Sequence, residues 1–397
     1  MREPTFENAL AFAQDLIRIP SLPGQEGAVS ERVRDEMQAL GFADVRIDEL
    51  GSVVGVVRGR GEAPPVMLSC HLDIVAPGDP AQWEHPPYGG VVEGGFLHGR
   101  GAMDIKGPLA LQTYAAAMLA GQAAGDVIVA HTVLEERGGW GMEHLMKSGT
   151  VRPAAVIIGE ATHGDIALGH RGRAEAEVVL RGVAGHASAP DRARNALDLL
   201  PAALAGIGAL AEDDRSDPVL GRATAVATGV EVRPESRNVI PDEVVVVVDW
   251  RILPGSTSEA LVEALETAIA RHMGPLPDGF GIDVRMAREH QRTWTGVERD
   301  RPMFTPGFLV DADHPVVRAA ASAAGRRNGT GAAHARPWAF ATDGGWTCGV
   351  HGIPSFGFAP GEERHAHTNT ERLDLEEARW ALDRYPHIVQ AVQAAVV

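Results

Sequence analysis

Short apolar runs rich in valine and isoleucine are the feature that most limits how this chain can fold. The runs lie at 53–57, 66–70, 127–134, 155–158 and 355–358. Several of them lack polar alternation, which is typical of strands covered on both faces. Segments with helical apolar spacing alternate with these runs, at 5–18, 28–40, 105–120 and 373–396. This alternation predicts an α/β domain with a mixed, largely parallel sheet.

The order of predicted helices and strands changes in the middle of the chain. The pattern there predicts, in order, strand 174–182, helix 193–211, strand 222–232, strand 239–250, helix 256–273 and strand 281–287. This β-α-β-β-α-β order is typical of a ferredoxin-like α+β unit. We therefore predict that a domain at 174–292 is inserted into a first domain formed by 1–173 and 293–397.

Composition excludes several classes of function. The 397 residues include 36 Lys and Arg against 53 Asp and Glu, a formal net charge of -17, so the chain lacks the basic surface that nucleic acids require. No apolar run approaches the roughly 18 residues of a membrane span. Glu3, Glu7 and Asp15 lie where a signal peptide would be uncharged. We expect a cytoplasmic protein without nucleic-acid or membrane partners.

The cysteine content limits how a metal could be bound. Cys70 and Cys348 are too few for a disulfide framework or a four-cysteine zinc site. Any metal must then be held by His, Asp and Glu side chains. Cys70 precedes His71 on a predicted strand, so the two side chains point in opposite directions and Cys70 is expected to pack in the core.

Potential metal ligands follow the predicted strands. His71 and Asp73 come after 66–70, Glu135 and Glu136 after 127–134, Glu160 after 155–158, and His365 and His367 after 355–358, while Asp104 begins the helix 105–120. Taken singly, each has a plain structural explanation, such as a surface hydrogen-bonded pair, a solvated acidic loop or a helix cap. In an open α/β sheet, however, ligands bind at the carboxyl ends of the strands. Their common position therefore favours a metal site.

These residues also stand in motifs that resemble a known family. The motifs are Ser-Cys-His71-Leu-Asp73, Gly-Arg-Gly-Ala-Met-Asp104-Ile-Lys-Gly, Glu135-Glu136-x-Gly-Gly, Gly-Glu160-Ala-Thr and His367-x-x-x-Glu371. In this order they are similar to the co-catalytic dizinc hydrolases, which include acetylornithine deacetylase, succinyl-diaminopimelate desuccinylase, aminoacylase and carboxypeptidase G. The resemblance covers nearly the whole chain, including the inserted domain with its Gly185-His186-Ala187-Ser188 and Asp249-Trp250-Arg251.

The resemblance implies two Zn²⁺ ions per chain that share one carboxylate. The implied ligands are His71, Asp104 and Glu160 for one ion, and Asp104, Glu136 and His367 for the other. Three carboxylates and one bridging hydroxide carry about four negative charges, which balance two divalent ions. Co²⁺ or Mn²⁺ could use the same ligands.

The resemblance also implies roles for two further acidic residues beside these ligands. Glu135 would be the general base, and Asp73 would orient His71 by a hydrogen bond. Asn369 stands one place earlier than the Asn or Asp that the family usually has before Glu371. His365 therefore stays open as an alternative to His367.

The inserted domain would serve as a lid and as a dimerisation domain. The family uses the residue matching His186 to help hold the oxyanion of the tetrahedral intermediate, reaching across a homodimer. Arg251 and Asn238 match positions that grip the substrate carboxylate or amide, and Thr342 lies in a family-like segment that lines the same pocket. A structural salt bridge with an acidic neighbour is the alternative for Arg251.

The motifs predict a hydrolase of linear amides. The leading hypothesis is a deacylase that acts on an N-acyl amino acid or on a short peptide with a free carboxylate, in the manner of acetylornithine deacetylase. A dipeptidase or carboxypeptidase, or a carbamoyl-amide hydrolase, is the alternative on the same fold. A catalytically silent protein that binds an amino-acid derivative is a different class, and the complete ligand set with Glu135 argues against it.

Overall fold

The computed structural model describes residues 1–212 and 215–396, which form two compact units. The first unit comprises Met1–His170, Gln291–Arg299 and Leu309–Val397, and the second comprises Arg171–His290 and Asp300–Phe308. The predicted insertion was 174–292. Contacts instead group 291–299 with the first unit and 300–308 with the second.

The first unit is built on an eight-stranded mixed sheet. In spatial order its strands are Ala43–Ile47, Val53–Val57, Val127–Thr132, Val66–His71, Ala155–Ile158, Ser355–Gly357, Ile166–Ala167 and Ala335–Arg336. The four neighbours from Val127–Thr132 to Ser355–Gly357 run parallel to one another and are buried along their full lengths. The predicted mixed, largely parallel sheet is therefore confirmed.

Helices of the same unit pack around this sheet. They are Phe6–Arg18, Gly27–Ala39, Lys106–Met118, Trp140–Ser148, Pro315–Ala324 and Leu375–Ala395. The first begins where the Thr5 hydroxyl accepts the Asn8 N–H, and it buries Phe12 and Leu16 at helical spacing. A small sheet joins Val91–Glu93, Phe96–His98 and Arg372–Asp374. Its pairing ties the last helix to the loop before Lys106–Met118.

The second unit has an antiparallel sheet and two helices. Its strands are Thr224–Arg233, Glu243–Ile252, Gly172–Arg181 and Gly281–Met286 in spatial order, with Phe304–Thr305 also paired to Gly172–Arg181. The helices Leu200–Glu212 and Ser258–Met273 pack against each other. Val178, Val246, Leu265 and Ile269 belong to the core of this unit. This architecture agrees with the predicted ferredoxin-like α+β insert.

Most predicted bounds lie within two residues of the observed ones, and three elements differ for a local physical reason. The helix predicted from 193 begins at Leu200, after the 3₁₀ turns Pro190–Arg192 and Ala196–Leu199. The strand predicted at 239–250 is two strands, Val239–Ile240 and Glu243–Ile252, because Pro241 cannot donate to a ladder. The strand predicted at 127–134 ends at Thr132, because Leu134 adopts a left-handed φ of 58°.

The helices of this fold also bear on membrane insertion. Within residues 1–212 and 215–396, no helix combines the length and the apolar character needed to cross a bilayer.

Candidate metal centre

The predicted ligands of the first unit lie where its strands end. His71 is the last residue of Val66–His71, Glu160 lies two residues beyond Ala155–Ile158, and Glu135 and Glu136 lie in the turn after Val127–Thr132. Gly138 and Gly139 follow with φ of 92° and 70°, which lets the chain reverse into the helix Trp140–Ser148.

Two groups of side chains could each hold a metal ion. In the first, His71 Nε2 lies 3.4 Å from Asp104 Oδ1 and 3.3 Å from Glu160 Oε1. All three side chains are buried. In the second, His367 Nε2 lies 3.2 Å from Asp104 Oδ2 and 3.1 Å from Glu136 Oε1. Asp104 thus offers one oxygen to each group.

The two groups distinguish between His365 and His367 as a metal ligand. His367 brings Nε2 to Asp104 and Glu136, whereas His365 ends the 3₁₀ turn Glu363–His365. Neither of the two groups found among residues 1–212 and 215–396 includes His365. The geometry therefore favours His367 over His365 as a ligand.

The electrostatics of the cluster match a site for divalent cations. Burial raises the pKa of Glu160 to about 7 and raises the pKa of Glu135 well above its ordinary value, because each carboxylate is removed from water beside others. Hydrogen bonds to Asp104 and Glu136 raise the pKa of His367 to about 10. Buried carboxylates and imidazoles are the donors that zinc and related ions use. The residues present therefore fit a two-metal centre.

A small cavity opens on this cluster. It has a volume of about 170 Å³ and is lined by His71, Asp104, Glu135, Glu136, Glu160, Phe340, Ala341, Ala366 and His367. Glu135 belongs to neither ligand group but shares the cavity with both. It is therefore placed to exchange a proton with a molecule in the cavity.

Asp73 makes different hydrogen bonds from those predicted. His71 Nδ1 bonds to the backbone carbonyl of Asp73 at 2.8 Å, whereas the Asp73 carboxylate lies 3.6 Å away. That carboxylate accepts the backbone N–H groups of Glu135 and Glu136 instead. The prediction that the Asp73 side chain orients His71 is therefore corrected. Its main chain orients His71, and its side chain holds the turn that carries Glu135.

Thr342 has an internal position rather than a cavity-lining one. It is fully buried, and its hydroxyl and backbone N–H both lie within hydrogen-bond distance of His170 Nε2, at 3.0 and 2.9 Å. The adjacent Phe340 and Ala341 line the cavity. Sequence reasoning missed His170 because no motif surrounds it.

A buried ion pair, Arg100–Glu371, holds the backbone at Asp104. Glu371 Oε1 accepts the backbone N–H groups of Met103 and Asp104, both at 3.1 Å. Its other oxygen accepts Arg100 Nη1 at 2.5 Å, and both side chains are almost fully buried. Arg100 is another residue that the sequence analysis missed, although it lies within the quoted Asp104 motif.

Lys106, also missed, anchors the start of the helix that follows Asp104. Its ammonium donates to the carbonyls of Leu16 and Ile19 at 3.0 and 2.6 Å. Burial lowers the pKa of Lys106 to about 7, because its charge is removed from water. Lys106 therefore ties the Asp104 loop to the end of the first helix.

The candidates of the second unit have local partners. His186 is exposed, and its Nδ1 lies 2.7 Å from the Ser188 hydroxyl. The Asn238 amide oxygen accepts the Ser236 hydroxyl. Arg251 is 39% exposed and donates Nε to Asp249 Oδ1 at 3.0 Å. The salt-bridge alternative therefore describes the Arg251 contact in this structure, and its contact with a substrate stays a prediction.

The sequence and fold are similar to known proteins. Residues 67–391 match the sequence pattern of peptidase family M20/M25/M40. The chain is 30% identical over 366 residues to the uncharacterized protein YgeY of Escherichia coli K12, across 91% of this chain and 88% of that protein. It is 33% identical over 277 residues to succinyl-diaminopimelate desuccinylase of Methylobacterium sp. (strain 4-46), across 62% of this chain and 67% of that enzyme. The structure of YXEP from Bacillus subtilis, a dinuclear metal-binding peptidase of the M20 family, aligns with a TM-score of 0.69, 17% identity and coverage of 98% and 99%.

Proposed function

This chain belongs to peptidase family M20/M25/M40, and from that premise we propose that it is a dizinc deacylase. Its substrate would be an N-acyl amino acid, or a short peptide with a free carboxylate. The chain is a hydrolase of amides, as its family membership establishes. One observation carries the two-metal part of the proposal: Asp104 presents one carboxylate oxygen to each of two ligand groups.

Each ion would have its own ligands besides Asp104. His71 and Glu160 would complete one set, and Glu136 and His367 the other. When bound, the ions would polarise the substrate carbonyl and make water a stronger nucleophile at neutral pH. This ligand assignment accounts for the concentration of carboxylates in one buried cavity.

Glu135 would act as the general base and then as the general acid. It would accept a proton from the attacking water and deliver that proton to the leaving nitrogen as the amide bond breaks. Two observations support this role: Glu135 lines the cavity without joining either ligand group, and burial raises the pKa of its carboxyl.

The inserted unit would bind the retained half of the substrate. Arg251 and Asn238 are the proposed contacts for its carboxylate or amide, and His186 would stabilise the oxyanion, from the neighbouring subunit of a homodimer. The hydrogen bond from Arg251 to Asp249 uses Nε, and the side chain is 39% exposed. The Nη groups of Arg251 can therefore still meet a substrate carboxylate. Peptide substrates stay the alternative, since the family is one of peptidases.

Metal analysis and a substrate panel test this proposal. About two zinc ions per chain are expected in protein purified with zinc. Hydrolysis is expected of N-acetyl, N-succinyl, N-formyl or N-carbamoyl amino acids or of dipeptides. Amidating the substrate carboxylate should reduce the hydrolysis rate of the wild-type enzyme. The matched control is Arg251→Ala, whose rate on the amidated substrate should be only slightly lower than that of wild type on the same substrate. A protein that binds no metal after supplementation, or that cleaves none of the panel, would contradict the proposal.

A further inference from the structure

The turn that carries Glu135 and Glu136 is held by side chains from distant parts of the sequence. The strand Val127–Thr132 ends just before it, so the following amide groups no longer belong to the strand ladder. Four consecutive amides donate instead to side chains: Val133 N to Ser52 Oγ at 3.4 Å, Leu134 N to Glu26 Oε1 at 3.2 Å, Glu135 N to Asp73 Oδ1 at 3.1 Å and Glu136 N to Asp73 Oδ2 at 3.0 Å. The path of this turn therefore depends on those acceptors.

Leu134 is the residue of the turn that most needs such restraint. It has a φ of 58°, in the left-handed region that is unfavourable for a residue with a Cβ atom. Its side chain is buried, and it directly precedes Glu135. Any return of Leu134 to a right-handed or extended conformation would redirect the Glu135 side chain.

The carboxyl group that accepts the Leu134 N–H belongs to Glu26, a fully buried glutamate. Its side chain is fully buried directly before the helix Gly27–Ala39, and its backbone carbonyl accepts the Ser30 N–H. In the described part of the chain, no Lys, Arg or His forms an ion pair with Glu26. A buried carboxyl without a cation costs stability unless its hydrogen bonds compensate. Packing of the helix start thus presents an acceptor to one particular amide.

We propose that Glu26 is a positioning residue for Glu135. By accepting the Leu134 N–H, it fixes the left-handed conformation of Leu134 and thereby the direction in which the Glu135 carboxyl leaves the turn. Asp73 holds the next two amides, so the two carboxyl groups share the turn between them. This inference rests on the proposed role of Glu135 in proton transfer. Glu26 lies outside residues 67–391 and outside every motif quoted above.

Two substitutions of Glu26 separate positioning from general stability. Glu26→Ala removes the acceptor, whereas Glu26→Gln keeps an oxygen that can accept the same amide. We expect Glu26→Ala to lower kcat by about 10²-fold with two metals retained, because small displacements of a catalytic group have effects of that size. KM should change by only a few-fold, and Glu26→Gln should recover most of kcat.

Glu36, on the helix that follows Glu26, provides the matched control. It is also a buried glutamate, but it pairs with Arg2 and Arg32 and lines no part of the cavity. Glu36→Ala should lower the unfolding temperature and leave kcat unchanged at temperatures where it is folded. A folded, metal-replete Glu26→Ala with wild-type kcat, or equal losses in Glu26→Ala and Glu26→Gln, would overturn the proposal.

Amide hydrogen exchange gives a readout that needs no substrate. Exchange at residues 133–136 should be faster in Glu26→Ala than in wild type, and it should stay slow in Glu26→Gln and Glu36→Ala. Unchanged protection in Glu26→Ala would refute the role of Glu26 even if the enzyme's substrate were unknown. A wild-type protein that cleaves no amide would contradict the proposed function alone, since the exchange measurement would still decide whether Glu26 holds the turn.

Discussion

Asp104 is the side chain that the two groups found among the described residues have in common. Its oxygens lie within 3.4 Å of His71 Nε2 and 3.2 Å of His367 Nε2. Burial opposes ionisation of the Asp104 carboxyl, but its hydrogen bonds with His367 and His71 hold its pKa below the ordinary value. Asp104 is therefore an anionic group placed to be shared by two metal positions, whereas Glu160 and Glu136 each belong to one group.

Replacing Asp104 should affect both metal positions together. Asp104→Ala is expected to lower the metal content from about two ions to less than one, because a shared ligand serves both ions. Glu160→Ala is the matched comparison and should mainly empty one position. Metal content is measured by mass spectrometry after gel filtration. Two tightly held ions in Asp104→Ala would show that neither ion needs Asp104.

Replacing Glu135 should separate catalysis from metal binding. Glu135→Ala is expected to retain both metals and to lose roughly 10²–10⁴-fold in kcat, the range attributed to general acid–base catalysis. Steady-state kinetics and metal analysis on the same preparation check this. Near wild-type activity in a metal-replete variant would remove Glu135 from the mechanism.

His131 gives a pH dependence of stability. It is fully buried on the strand Val127–Thr132, and its Nε2 lies 2.9 Å from the Thr113 hydroxyl, which itself donates to Leu109. Burial lowers the pKa of His131 to about 3. Because the unfolded chain binds this proton near pH 6.5 and the folded protein does not, stability falls as the pH drops from 6.5 towards 3.

The contribution of His131 can be isolated by substitution. Between pH 6.5 and pH 5, wild type should lose up to about 1.4 kcal/mol per pH unit more than His131→Gln, since one proton corresponds to that slope. Urea unfolding at several pH values measures the difference. Parallel pH profiles would show that His131 is not held neutral in the folded state.

At the scale of elements, loops at strand ends bring the ligands together, and helices and ion pairs fix the loops. Val- and Ile-rich runs predict where strands end, so His71, Glu136 and Glu160 could be assigned to one sheet edge from sequence. The contacts of Glu26, Arg100 and His170 could not, because each joins segments far apart in the chain.

The features that differ from the leading expectations also have local physical causes. Leu134 ends a predicted strand through its φ of 58°, which an apolar pattern does not reveal. Arg251 pairs with Asp249 because residues i and i+2 of a strand lie on the same face. That neighbour was visible in the sequence, and its strand spacing indicated the salt bridge.

The loop before Lys106–Met118 should depend on the Arg100–Glu371 pair. Glu371→Leu leaves Arg100 buried without its partner, which is expected to cost about 3–5 kcal/mol of unfolding free energy. Replacing both residues, as Arg100→Met with Glu371→Leu, should recover part of that loss. Metal affinity should stay weakened in both variants, because Met103 and Asp104 lose the same acceptor. Urea unfolding and calorimetric metal titration measure the two effects, and full metal affinity in either variant would contradict the role of Glu371.

At the scale of the whole molecule, the inserted unit offers an edge for association. The strand Thr224–Arg233 ends its sheet, and Val226 and Val230 on it are 53% and 46% exposed. An unpaired edge with exposed valines is a template for pairing with another chain. We propose that a second copy of this chain pairs there.

Subunit mixing tests whether this association matters for catalysis. Sedimentation should show a dimer for wild type and a monomer for Val226→Lys combined with Val230→Lys, because charges on an edge strand oppose pairing. If His186 acts in the neighbouring subunit, mixing inactive His186→Ala with inactive Glu135→Ala should restore part of the activity. A fully active monomer, or mixtures that stay inactive although mixed dimers form, would refute this arrangement.

The spread of the proposed ligands along the chain would order the assembly of the site during synthesis. His71, Asp104 and Glu160 lie within one stretch of 90 residues, whereas His367 is made 207 residues after Glu160. The parallel pairing of Ser355–Gly357 with Ala155–Ile158 brings the start of the late loop to the sheet edge where the other proposed ligands lie. A nascent chain that has not reached His367 could therefore offer one complete group of proposed ligands but not the second. Capture of the second ion would then report that synthesis has passed His367.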